Sequence, residues 1–262
     1  MTLTDCLKSH KIELPKMQVR QLEEYCGKLW SWNERINLTR HTDYEKFVTR
    51  DLTDSMALAE LLRRGERVLD VGTGGGVPGI VLGILRPDLK IELCDSTGKK
   101  TMAVSEIVQE LRLDIPVFHS KAADLLQQQG RRYTTLTIRA VSKLAQLLQH
   151  LAPCWSSFDR LLLVKGPNWI AERGEARHYN LTTKLALRVA KKYAPVIADG
   201  DNNPVDGVES VILQLCLKDN LKTLDDVIDK HITGGLKKER KEAIYTRARF
   251  SKNKKRSSEQ RF

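Results

Sequence analysis

The chain has 262 residues, 41 % of them apolar and 29 % charged, with a net charge of +11 and a pI near 9.4. That balance suits a soluble globular protein with an anionic partner, nucleic acid before membrane. No apolar run of about 18 residues occurs, the N-terminus MTLTDCLKSH has no apolar signal core, and the five cysteines are scattered without a CxxC pair. A membrane span, a metal site and a disulfide scaffold are set aside, and a cytoplasmic home is expected.

Residues 15–33 place Val19, Leu22, Cys26 and Leu29 at spacings of three and four, which predicts a helix opening at Pro15. A polar bend and a second helical stretch follow, giving a helical cap over residues 1–64. Trp30, Trp32, Ile36 and Leu38 are expected to anchor it on the main body. Asn37, Thr39, Arg40 and Arg50 stand where they can line a site.

Residues 67–95 (RVLDVGTGGGVPGIVLGILRPDLKIELCD) organise the rest. They read as a strand (68–71), a glycine turn (72–76), a helix, and a second strand closing on Asp95. Glycines let backbone N–H groups approach a ligand, and an acid about 20 residues on can take both hydroxyls of a ribose. Gly74-x-Gly76-x-x-Gly79 formally satisfies the dinucleotide fingerprint. Three features speak against a pyrophosphate: the charge of Asp70 inside the strand, glycine at every other position from Gly72 to Gly76, and Pro78 in the first turn of the helix, one donor fewer for an anion. S-adenosylmethionine, with a sulfonium, an amino group, a ribose and no phosphate, fits better. Gly98-Lys99 lacks the upstream glycine of a Walker loop.

Downstream, a helix is predicted from about residue 98, with Ser96 or Thr97 as its cap and Val104, Ile107, Val108 and Leu111 on one face. Strands are expected at 115–119, 133–139 and 158–165, with a helix opening at 121–124 and another from 141 that ends before Pro153. Two further strands, 185–193 and 208–217, flank the turn-rich DGDNNPVDG and suggest an antiparallel pair at the sheet edge. This alternation predicts a doubly wound, mostly parallel α/β core over residues 65–220. The extension 221–262 changes character: residues 237–262 hold eleven Lys or Arg and three Glu, a net +8. It reads as a basic, mobile tail suited to RNA phosphates.

WNERINLT, RDLTDS, VLDVGTGGGVPGI, RPDLKIELCDSTGKK, IRAVS and VKG, in that order, resemble the bacterial small-subunit (16S) rRNA guanine-N7 methyltransferases, also called glucose-inhibited division protein B. The resemblance spans roughly residues 15–217. It implies a Rossmann-like class I methyltransferase fold with a seven-stranded sheet and an N-terminal cap, S-adenosylmethionine as methyl donor, and small-subunit rRNA or a ribosomal particle as partner. Position by position it implies cofactor contacts at Gly72, Val77, Ala122, Ala123 and Arg139, with Asp95 as the ribose-binding acid; Thr73, Gly74 and Gly76 of the turn are expected to bind the cofactor with them. Asp51 and Ala123 depart from the family pattern, which usually has a histidine and an acid there.

Guanine N7 carries an in-plane lone pair and no proton, so methylation there needs no general base. The protein must align nucleophile and donor, and a cation near O6 would help. Arg139 and Lys165, at carboxyl ends of expected strands, are the candidates for that catalytic role. His41, His119, His150 and His178 read as isolated surface or packing residues. Two alternatives stay open: a methyltransferase of the same fold acting on another RNA or a protein, and a non-catalytic RNA-binding protein.

Overall fold

The computed structural model describes residues 1–128, 130, 132–193 and 210–220. The expected basic tail and the DGDNNPVDG turn lie outside the described residues. Residues 1–218 form one compact unit, so cap and sheet are packed together.

Seven strands make a single sheet in the order β3-β2-β1-β4-β5-β7-β6. They are β1 (Arg67–Val71), β2 (Lys90–Asp95), β3 (Val117–His119), β4 (Tyr133–Arg139), β5 (Phe158–Lys165), β6 (Leu185–Tyr193) and β7 (Ser210–Leu217). The first five run parallel; β7 is antiparallel to both β5 and β6. The antiparallel edge pair expected from the sequence is present, with β7 as its inner member. Strands such as β5 (FDRLLLVK) and β7 (SVILQLCL) are almost continuously apolar because helices cover both faces of the sheet.

On one face lie the cap, α5 (Gly79–Leu85) and α6 (Gly98–Glu110). On the other lie α7 (Ala122–Leu126), α8 (Leu144–Leu151) and α9 (Trp169–His178). The predicted cap helix is α2 (Lys16–Asn33), which buries Leu22, Tyr25, Cys26, Leu29 and Trp32. Before it stands a helix the sequence reading did not anticipate, α1 (Leu3–Ser9), held by a capping box between Thr2 and Asp5 and burying Leu3, Cys6 and Leu7. The second helical stretch is α3 (Tyr44–Lys46), a π-helical turn over Phe47–Leu52, and α4 (Thr53–Ala59). The expected hydroxyl cap of α6 is absent: Thr97 occupies the N-cap position without a side-chain bond, and its own N–H donates to Asp95 instead.

Candidate functional site

The turn after β1 is built as the glycines require. Gly72, Gly74 and Gly76 have φ of +67°, +58° and +101°, a region nearly closed to side chains. The N–H groups of Gly72 and Thr73 donate to the carbonyl of Cys94 at 2.8 and 3.1 Å, tying the turn to the end of β2. Asp95 sits just beyond. Its Oδ2 accepts the N–H of Gly74 at 3.0 Å and its Oδ1 that of Thr97 at 2.8 Å. A carboxylate has about four acceptor sites, so two remain for a ligand's hydroxyls.

Asp70 takes a different part from the one its charge suggested. It is fully buried beneath the turn, accepting the N–H of Gly79 at 3.0 Å and the hydroxyl of Thr137 at 3.1 Å. Burial pushes its carboxyl up to about 6, against the hydrogen bonds from Gly79 and Thr137 that favour the charge. It lines neither hollow of the site; it braces the start of α5. Gly79 is needed there too, since a Cβ would stand 2.1 Å from Cδ2 of Leu93 and 2.9 Å from Cβ of Asp70.

Two hollows open at the carboxyl ends of β1, β2 and β4, where ligands of such sheets bind. The larger, about 500 Å³, is walled by Asp95 and Ser96 on one side and by Ser120, Ala122 and Ala123 after β3 on another. The smaller, about 320 Å³, lies over Gly72, Thr73, Gly74 and Val77 and reaches Arg139 and the cap residues Leu38 and Thr39. They share Gly72, Asp95, Ser96 and Val141. Val141 is the divider: a Cβ on Gly72 would lie 2.6 Å from its Cγ2. Both volumes are in the range of small-molecule sites, and jointly they offer a long, bent cleft with an acid at its middle. That is the shape and chemistry S-adenosylmethionine requires: an apolar end for the adenine, a carboxylate for the ribose, bare backbone for the methionine. Gly76 is outside both linings; a Cβ there would strike Ile80 at 2.5 Å.

Arg139 closes the smaller hollow and is clamped from behind. Its Nη2 donates to Oδ1 of Asp51 at 2.5 Å and its Nη1 to Oδ2 of Asp54 at 3.0 Å. Burial works to lower its basicity, but the two carboxylates outweigh it and hold it above the usual arginine range. The π-helical turn puts Asp51 and Asp54 on one side, aimed at Arg139. His41 is no isolated residue: its Nδ1 meets Oδ1 of Asp51 at 2.9 Å. The hydroxyl of Tyr193, on β6, donates to Asp54 at 2.7 Å, so this polar cluster joins the cap, β4 and the sheet edge.

Lys165 lines neither hollow. Its Nζ donates to the carbonyl of Ser142 at 2.8 Å and pairs with Glu172 at 2.7 Å. Glu172 also accepts the N–H of Leu144 at 2.8 Å, capping α8 from the neighbouring helix. Lys165 thus fixes the segment that carries Val141. From the cap, the hydroxyl of Tyr25 donates to the carbonyl of Gly75 at 2.9 Å, and Leu29 lies where a Cβ on Gly75 would fall, at 2.8 Å. Asn33 accepts the N–H groups of Leu38 and Thr39 and so shapes the bend that delivers both to the cleft. Asn37, Arg40 and Arg50 are not part of either lining; His150 stands at the outer edge of the larger one.

Several of these contacts escaped sequence reasoning. Tyr25 shares the apolar face of α2 with Leu22 and Leu29, so its burial was readable but the target of its hydroxyl was not. Val141 follows Ala140, whose φ of +54° turns the chain over Gly72, and no residue type announces that bend.

A mostly parallel sheet in this order, with one antiparallel strand next to its edge, a glycine turn after β1 and an acid closing β2, defines a Rossmann-like class I methyltransferase. Sequence comparison carries this further. The profile described as rRNA small subunit methyltransferase G (GidB) matches residues 18–194. "Ribosomal RNA small subunit methyltransferase G" of Rhodopirellula baltica is 44 % identical over 221 residues, 81 % of this chain and 95 % of the relative. The proteins of that name from Desulfitobacterium hafniense and Desulforamulus reducens are 35 % and 32 % identical, over 68 % and 76 % of this chain and 72 % and 86 % of their own lengths. The chain belongs to the rRNA small subunit methyltransferase G family. A solved structure, that of M. capricolum TrmK with S-adenosyl-homocysteine, is 15 % identical with a TM-score of 0.46, covering 64 % of this chain and 67 % of that one; nothing further follows from so distant a likeness. Among the described residues no helix is long and apolar enough to cross a membrane.

Proposed function

We propose that this protein methylates N7 of a guanine in small-subunit ribosomal RNA, using S-adenosylmethionine, in the cytoplasm. The observation that carries the reading is the bent cleft over Gly72 to Gly74 with Asp95 at its centre, in a chain of this family. The cofactor, held there, supplies an activated methyl on a sulfonium. The chain's own residues do the rest. Asp95, already fixed by Gly74 and Thr97, offers its free lone pairs to the ribose hydroxyls. Ala122 and Ala123 wall the end that takes the adenine; the small side chain at 123 leaves backbone as the recognising group. Gly72, Thr73, Gly74 and Val77 line the methionine end, and Gly76 shapes the turn.

N7 has no proton to lose, so the protein need supply no base; alignment alone is worth up to about 7–11 kcal/mol. Arg139 is the group we place beside the acceptor, its donors not spent on Asp51 and Asp54 facing the cleft, where a cation near O6 draws charge as the bond to N7 forms. Lys165 acts one step removed, as a positioning residue for 140–142. The basic extension 237–262 adds sequence-independent hold on phosphates, and no metal takes part. The test is nucleotide mapping of small-subunit rRNA after incubation with the protein and labelled cofactor. The reading predicts label on a single guanine N7; label on transfer RNA or protein alone, or RNA binding with no cofactor consumed, would replace it with one of the alternatives.

A further inference from the structure

The described surface has a third hollow, which the reaction does not use. It measures about 420 Å³ and lies between α9 and the start of β6. Arg173 and Arg177, four residues apart on one side of α9, stand on one wall, and Lys218, at the end of β7, on the other. Its floor is Leu185 and Leu187; Asn180 and Thr182 add neutral polar groups at the rim. Among the described residues no acidic side chain lines it. Several other surface cations are engaged: Arg20 with Glu24, Lys28 with Glu110, Arg132 with Asp159, Lys191 with Glu60. The side chains of Arg173, Arg177 and Lys218 make no hydrogen bond or ion pair among the described residues. Three unneutralised cations converging on one concavity repel one another, and an anion between them relieves that repulsion.

The position of the hollow decides which anion. Leu185 pairs with Leu217, and Leu215 with Leu161 near the beginning of β5, so the hollow is at the amino ends of the parallel strands. The cofactor cleft is at their carboxyl ends, about 20 Å away along the strands and about 14–24 Å across them, at roughly 3.3 Å per residue and 4.8 Å per strand. A group bound there cannot touch the acceptor base, yet a polynucleotide whose guanine is in the cleft can pass it.

We propose that this hollow is a remote anchor for the sugar-phosphate backbone of the RNA substrate, Arg173, Arg177 and Lys218 contacting successive phosphodiesters. The inference rests on the rRNA reading above, and its test separates the two. Affinity of the full chain for a small-subunit rRNA fragment is measured by fluorescence anisotropy across a salt series, for the native protein, for R173Q/R177Q/K218Q, for R173K/R177K, and for R20Q/K28Q as a control on the cap. Three lost phosphate contacts should reduce the steepness of log K against log salt by about 2–3, at roughly 0.7–0.9 per contact. The triple-Gln variant should show that fall and a raised KM for RNA, with kcat and cofactor affinity unchanged. The Lys variant and the cap control should keep the native slope, the former because a point charge still serves a phosphate. An unchanged slope in the triple-Gln variant, a Lys variant that behaves like it, or a fall in kcat at fixed KM would overturn the anchor. So would binding of a mononucleotide at the hollow with no effect of the substitutions on RNA, which would assign it to a small ligand. A protein that methylates no rRNA but shows the slope change loses the activity reading and keeps the anchor.

Discussion

Replacing Arg139 by methionine removes the cation while keeping most of the apolar stem. What it leaves behind sets the cost. Asp51 is wholly buried at 0 % side-chain exposure and Asp54 is 14 % exposed, and the second oxygen of Asp51 already has no partner. Breaking a buried pair from one side costs about 3–5 kcal/mol, chiefly because the remaining charge is uncompensated. His41 still faces Asp51 and the Tyr193 hydroxyl still faces Asp54, so the lower end applies, about 3 kcal/mol. At about 2–4 °C per kcal/mol for a domain of this size, the melting temperature of R139M should fall by about 6–12 °C. Adding Asp51→Asn to R139M removes the orphaned charge and should recover more than half of the loss, measured by thermal and urea unfolding of the single and double variants. Stability of R139M within about 0.5 kcal/mol of the native protein, or no recovery on adding D51N, would show that the clamp around Arg139 is not as described.

Asp95→Ala should raise the Kd for S-adenosylmethionine at least tenfold in calorimetry, because a charged acceptor of a ribose hydroxyl contributes about 1.5–3 kcal/mol; unchanged affinity would remove Asp95 from the site. Gly74→Arg should abolish cofactor binding while the far-UV circular dichroism stays native, since Gly74 is at φ +58° yet the space a Cβ would enter is open, with Gly72 O at 3.9 Å; a variant that binds normally would contradict the cradle. Asp70, raised from 3.8 to about 6, is held protonated more readily in the folded chain than in the unfolded one. Its favourable contribution is therefore present in full below about pH 4 and lost as pH rises through 6, up to about 3 kcal/mol at 1.36 kcal/mol per unit. Native stability measured against Asp70→Asn should fall by that order between pH 4 and 7, and parallel curves for the two proteins would refute it.

What could be read in advance follows from how local each signal is. The strand, glycine turn and acid of 67–95 are specified by residues within one supersecondary unit, so both the cradle and Asp95 were visible in the sequence. The apolar face of α2 was equally local. Asp70 misled because its charge was legible and its burial was not: only the packed structure shows Gly79 and Thr137 donating to it from 9 and 67 positions away. Lys165 was placed at its strand end correctly, but whether its ammonium turns to the cleft or to Glu172 depends on α9, an element the sequence reading did not position. The Arg139 clamp joins residues 85 and 88 positions apart and needs a π-helical turn to aim the acids, for which Thr49 to Leu52 carry no signal.

The most direct measurement is a crystal structure of the protein grown with S-adenosylmethionine. The ribose hydroxyls should rest on Asp95, the adenine against Ala122 and Ala123, and the methionine end over Gly72 to Gly74 beside Arg139. A cofactor lodged elsewhere, or a cleft that stays divided by Val141 and admits none at saturating concentration, would contradict the account.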